Sequence, residues 1–204
     1  MTVNDTVADL EEAPAPNEQD ASWCPYRSLS IFGNKKPWHI EFWREFEYNH
    51  VARADGTNEC TLIQLSLPKA GPAVRFHGVT TGFASYRSPA RFRWDLWRSV
   101  GLRLVIEAGD DKIYSIAIRD MEPPGGCEKK KRNRVEWECN FRGRPGFADI
   151  YWEQFQPTVR GTRPLDLSNI SDFRISLCNN PQCSFVPQKG PFELDLVSIE
   201  KLYV

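Results

Sequence analysis

The side chains best suited to chemistry are few and scattered. The chain has three histidines, His39, His50 and His77, and six cysteines, Cys24, Cys60, Cys127, Cys139, Cys178 and Cys183. No histidine stands at metal-binding distance in sequence from another histidine or a carboxylate, and no Cys-x-x-Cys pair occurs, so neither a metal site nor a cofactor is expected. In the segment Arg75-Phe76-His77-Gly78, His77 alternates with Phe76 and, in a strand, points to the face opposite that ring. A hydrogen-bonded structural histidine is the commoner role there; acid–base work is the alternative. Nucleophile elbow, phosphate-binding loop and dinucleotide fingerprint are all missing. A carboxylate pair for glycoside hydrolysis is defined by its separation in space, which spacing in sequence does not give. No catalytic residue is assigned, and whether the chain is an enzyme stays open.

An even cysteine count suits a disulfide framework in a secreted protein. The first twenty residues, MTVNDTVADLEEAPAPNEQD, carry no apolar export segment, so reduced structural cysteines are expected instead. Cys139 alternates with Val135, Trp137 and Phe141 as a core thiol would, and Cys178 and Cys183 bracket a turn that brings them into reach of each other. The same N-terminus is acidic and free of Lys and Arg, the reverse of a mitochondrial presequence. The expectation is a cytoplasmic protein, mitochondrial only if a leader is missing. Residues 1–22, acidic and rich in Ala and Pro, read as a disordered tail, and residues 23–204 as one domain. A formal net charge of −1 gives no basic field for nucleic acid. No apolar run is long enough to span a bilayer.

The elements that must position any site are strands. Phe83, Ser85 and Arg87 alternate with Ala84 and Tyr86. Residues 62–67 put Ile63, Leu65 and Leu67 on one face, and 73–79 follow as another strand. Residues 101–108 turn Leu102, Leu104 and Ile106 inward, and 112–120 do the same with Tyr114, Ile116 and Ile118. Gly109-Asp110-Asp111 between them reads as a hairpin turn. Residues 135–141, 148–152, 173–177 and 192–204 complete the set. Seven Trp and twelve Phe, with Gly and Pro spread as turns and no amphipathic helix, give an all-β chain, an antiparallel β-sandwich or jelly roll. The aromatic entry from Trp23 to Phe46 reads as a plug at one end of the core, or else as a ring-lined surface. The basic stretch 123–134 is a solvated loop or a docking patch for an acidic partner. Arg160 and Arg163, in a loop broken by Pro157, Gly161 and Pro164, are ion-pair partners or ligand clamps.

In order along the chain stand Trp38; Phe76 and Gly78; Gly82-Phe83-Ala84-Ser85 with Arg87; Trp94-Asp95-Leu96; Gly101-Leu102; Gly109-Asp110 and Tyr114; Trp137 and Phe141. Trp152, Phe155, Pro157-Thr158 and Arg160-Gly161 follow, then Asp166-Leu167, Ile170, Gly190, Phe192, Leu194 and Ile199. This series resembles the complex I intermediate-associated protein 30 family from about Phe32 to Leu202, nearly the whole of the expected domain. Two places depart from the family's pattern: Arg53-Ala54-Asp55-Gly56-Thr57-Asn58 replaces its Arg-Gly-Gly-x-Ser, and Thr81 replaces the first of two glycines. The resemblance implies a galactose-binding-domain-like jelly roll and a non-catalytic factor that helps assemble respiratory complex I (NADH:ubiquinone oxidoreductase).

On a jelly roll, the expected ligand or partner surface is the concave sheet face, with Ser85, Arg87, Arg103, Arg119, Trp137 and Tyr151 as its candidates. The partner is a protein, respiratory complex I intermediates by the resemblance, or a small hydrophobic ligand. Two alternatives stand beside the assembly factor. One is a small cyclase- or isomerase-type enzyme, or an accessory protein, of specialised metabolism, which can work by holding a reactive conformer. The other is a carbohydrate-binding module with stacked aromatics.

Overall fold

Period-two alternation builds nearly every regular segment. The computed structural model describes residues 29–34, 36–45, 59–80, 83–90, 93–120, 135–159, 163–177 and 188–203. In chain order these form β1 (Leu29–Gly33), β2 (Arg44–Glu45), β3 (Glu59–Leu67), β4 (Gly71–Thr80), β5 (Ala84–Arg87), β6 (Gly101–Gly109), β7 (Ile113–Asp120), β8 (Trp137–Arg142), β9 (Gly146–Tyr151), β10 (Gln156–Pro157), β11 (Ile170–Leu177) and β12 (Gly190–Leu202).

The strands make two antiparallel sheets. The first runs β3-β4-β12-β6-β9, and β1 joins it on β12 beyond the part that β4 occupies. The second runs β10-β8-β7-β11-β5-β2. Between them lies the core. Phe76, Leu102, Leu104, Ile106, Leu194 and Ile199 come from the first sheet, and Tyr114, Ile116, Ile118, Phe173, Ile175 and Leu177 from the second. This is the antiparallel jelly-roll sandwich that the alternation implies.

The aromatic entry is packing where it is described. Phe32, Trp38 and Trp43 are buried, with Phe32 stacked on Trp38 at 5.5 Å and edge-on to Phe173 at 5.6 Å. The Trp43 indole donates to the Trp38 carbonyl at 2.9 Å, so its polar end is satisfied inside the plug. Only Phe42, in a short 3-10 turn over Ile40–Phe42, stays exposed. Trp23, Tyr26 and Phe46 lie outside the described residues.

One local reading changes in three dimensions, and another gains its direction. Asp110 and Asp111 do make a tight connection, with Asp111 at φ 63°, but β6 and β7 lie in different sheets. The connection is an arch across the core rather than a hairpin. Alternation is the same in both cases; the arch lets the Leu102–Ile106 face look at the Tyr114–Ile118 face instead of lying beside it. In β3 it is Leu62 that enters the core, opposite Phe76, while Ile63 is exposed. The Ile63, Leu65 and Leu67 stripe is the outer one.

Candidate functional site

The outward positions of β5, β11, β7 and β8 come into register across the second sheet. Ser85, Ser176, Ser115 and Asn140 form one row, and Arg87, Arg174, Ala117 and Glu138 the next. Asp172 faces Arg119 beyond them. Most of these side chains are hidden, although they point away from the core: Ser85, Ser115, Ser176, Asp172 and Arg174 are each at most 2 % exposed.

Charge pairing makes that burial tolerable. Arg87 bridges Glu136 and Asp172, the second at 3.2 Å. Arg119 meets the same Asp172 through two nitrogens, Nε and Nη2, at 2.9 Å. Arg174 reaches Glu136 at 2.8 Å and Glu138 at 3.5 Å, and donates to Ser176 Oγ at 2.7 Å. Ser171 adds a hydroxyl to Asp172 at 2.8 Å. Three guanidinium groups thus interlock with three carboxylates. Burial pushes the Glu136 carboxyl up, but Arg174 and Arg87 outweigh it and hold the group below the usual carboxylate range. Burial pulls the Arg87 guanidinium below its ordinary value, with Glu136 opposing.

On the outer face of the first sheet, Asp195 near the middle is buried against Arg75, but the β6–β9 edge differs. There β6 and β9 set Arg103 opposite Asp149, joined by two hydrogen bonds of 2.7 Å. The bond to Asp149 raises the Arg103 guanidinium further. Its carbon lies 5.0 Å from the centre of the Phe147 ring, a cation–π contact. Phe147 is 70 % exposed, and Tyr151, on the same face of β9, is 43 % exposed. Two open rings flank a fixed ion pair.

The six candidate residues therefore do not share one surface. Ser85, Arg87 and Arg119 come together in the charged lattice of the second sheet. Arg103 and Tyr151 lie on the far side of the sandwich. Trp137 points inward opposite Ile118 and packs against the core. Sequence reasoning missed Glu136, Asp172 and Arg174 of the lattice and Phe147 and Asp149 of the patch. The available signal was parity: Asp172, Arg174 and Ser176 alternate with Phe173, Ile175 and Leu177.

Other candidates fall into structural roles. Arg163 pairs with Asp120 at 2.7 Å, and Asp120 also accepts the Asp166 amide at 2.9 Å. His77 lies on the outer face between Thr61 and Glu193. The Cys139 thiol is buried, which pushes its pKa up and makes it a poor nucleophile. Among the described residues no three of His, Cys, Asp and Glu converge as metal ligands, and no helix is long and apolar enough to cross a membrane. His50, Arg160, Cys24, Cys127, Cys178, Cys183, the 123–134 loop and both departures from the family pattern lie outside the described residues.

The lattice and the patch both lie within residues 63–196, which match the family model of complex I intermediate-associated protein 30. The chain belongs to this family. No curated protein matches it. Among solved structures, the chain is similar to the family 11 carbohydrate-binding module of a Clostridium thermocellum cellulosomal cellulase. The TM-score is 0.56 at 12 % identity, over 88 % of this chain and 96 % of that one. A second structure of that module, from the same organism and in complex with a β-1,3-1,4-mixed-linked tetrasaccharide, gives 0.54 at 13 % identity, over 87 % and 95 %. Such identities speak for a common fold alone: this complex I intermediate-associated protein 30 domain is built on the jelly roll of carbohydrate-binding modules.

Proposed function

We propose that the chain is a non-catalytic binding module for a protein partner, with respiratory complex I intermediates as the partner to which family membership points. One observation carries this reading. The outer face of the second sheet is filled by its own ion pairs, Arg87, Arg119 and Arg174 against Glu136, Glu138 and Asp172, where a substrate-shaping enzyme would need an apolar hollow. In this reading Ser85, Arg87 and Arg119 hold the sheet's shape, and the partner meets Arg103, Phe147 and Tyr151. Exposed aromatic rings beside an oriented arginine are the side chains most often found at the centre of protein interfaces.

The test is a pull-down of the tagged full chain from native extract, run beside untargeted metabolite profiling of a deletion strain. Recovery of complex I subunits, lost on Phe147→Ala with Tyr151→Ala, supports the proposal. A missing metabolite with normal respiration overturns it in favour of specialised metabolism. Retention on a soluble polysaccharide gel that depends on the same two rings overturns it in favour of carbohydrate binding.

A further inference from the structure

One end of the sandwich gathers cations around an exposed ring. At the close of β12, Lys201 Nζ donates to the Asp95 carbonyl at 2.6 Å. The Val100 amide donates to the Leu202 carbonyl at 2.8 Å, so residues 95–100 are held against the end of that strand. This loop presents Trp97, 71 % exposed, and its exposed neighbour Arg98. Lys36, also exposed, is bridged to Gly33 at the end of β1. These groups feel one another. Burial pulls the Lys201 ammonium below its ordinary value, with Asp95 opposing and Lys36 adding to the fall. Burial pushes the Tyr203 phenol up, with Asp95 adding and Arg98 opposing. Asp95 does not neutralise the cluster: its Oδ1 accepts the Trp97 amide at 3.0 Å. Among the described residues no carboxylate forms an ion pair with Lys36, Arg98 or Lys201.

The chain itself carries a matching segment. Leu29, where the described residues begin, lies opposite Lys201. Ahead of it, residues 1–26 hold six carboxylates and no Lys or Arg. Three of the six flank an aliphatic side chain in Asp9-Leu10-Glu11-Glu12. A flexible chain from Leu10 to Leu29 has a root-mean-square span of about 25 Å, and the cationic end lies beside Leu29. Tethered at that range, the acidic stretch has an effective concentration of about a millimolar. Surface ion pairs that are weak singly then act together.

We infer that Asp9-Leu10-Glu11-Glu12 docks on this end of its own chain, with its carboxylates against Lys36, Arg98 and Lys201 and Leu10 on the Trp97 ring. The docked segment covers the ring and closes the cationic end to any other acidic partner.

Zero-length carbodiimide coupling of the full chain tests this, because it joins carboxylates to lysine amines only where they touch. Mass spectrometry should find Asp9, Glu11 or Glu12 coupled to Lys36 and Lys201. The yield should be several-fold above that at Lys189, an exposed lysine at the other end of β12. It should fall several-fold between about 0.05 and about 0.5 M salt. In a mixture of isotopically light and heavy chains, the coupled partners should belong to one chain. Arg98→Glu and, separately, Trp97→Ala should each lower the yield several-fold, with near-UV circular dichroism unchanged. No coupling, equal coupling at Lys189, or coupling confined to Glu18 and Asp20 overturns the inference. Products that mix the isotopes overturn it in favour of a second copy. A yield indifferent to salt and to Arg98→Glu overturns it as well.

Discussion

Both sheets carry arginine–carboxylate pairs on their outer faces, yet the two regions differ in what the pairs are for. In the second sheet Asp172 is 1 % exposed and holds two guanidinium groups at once. In the first, the pair at the β6–β9 edge, Arg103 and Asp149, is about 30 % exposed, whereas Asp195 beside Arg75 in the middle of that sheet is buried. Buried charges that lose a partner keep their desolvation cost and gain nothing for it. Exposed charges that lose a partner return to water. The same residue types therefore make a structural fastener in the lattice of the second sheet and an adaptable surface at the β6–β9 edge of the first.

Asp172→Ala gives the sharpest test of this contrast. It takes the Asp172 carboxylate from Arg119 and leaves Arg87 with Glu136, and should cost about 3–5 kcal/mol, read from urea unfolding; a loss comparable to that of an exposed pair would erase the distinction. Trp137→Ala should come next, at about 2–3 kcal/mol, because the ring packs inward. It should leave partner capture by the folded protein unchanged, which separates it from the patch.

The lattice should also make stability depend on acid. The folded pKa of Glu136 is lowered, so its contribution is fully present above the unfolded carboxyl value of about 4.3. That contribution is lost as pH falls through the lower folded value. Thermal unfolding between neutral pH and about pH 3 should show the loss, and Glu136→Gln should be less stable at neutral pH and flatter over this window. A wild-type profile as flat as the variant's would count against the lattice. The smallest effect is expected at the patch: Asp149→Ala should cost under about 1 kcal/mol while reducing partner capture, since Arg103 loses the bond that orients it over Phe147. A large loss of stability there would make the patch a second fastener.

Much of the fold was visible in the order of residues. The inward faces of β5, β6, β7 and β8 follow from alternation, and the family follows from the series of aromatic, glycine and arginine positions running from Trp38 to Ile199. The candidate site was visible only in part. Arg87, Arg119 and Ser85 were recognisable as polar positions on alternating strands, but their partners were not. Glu136 lies 49 residues from Arg87, and Asp172 lies 85 residues from it. Nothing local distinguishes Arg103, whose carboxylate partner leaves it open to solvent, from Arg87, whose partners close over it.

Period-two patterning belongs to the residues themselves, because successive Cβ atoms on an extended backbone point to opposite sides. It settles that a strand forms and which residues share a side. It does not settle which strand lies next to which. Closing the sandwich made the Asp110-Asp111 turn an arch, turned the Ile63 stripe outward and buried one set of arginines while exposing another. Those outcomes depend on contacts between distant segments and on the water each contact excludes, and a charge has its strength only once that surrounding is in place.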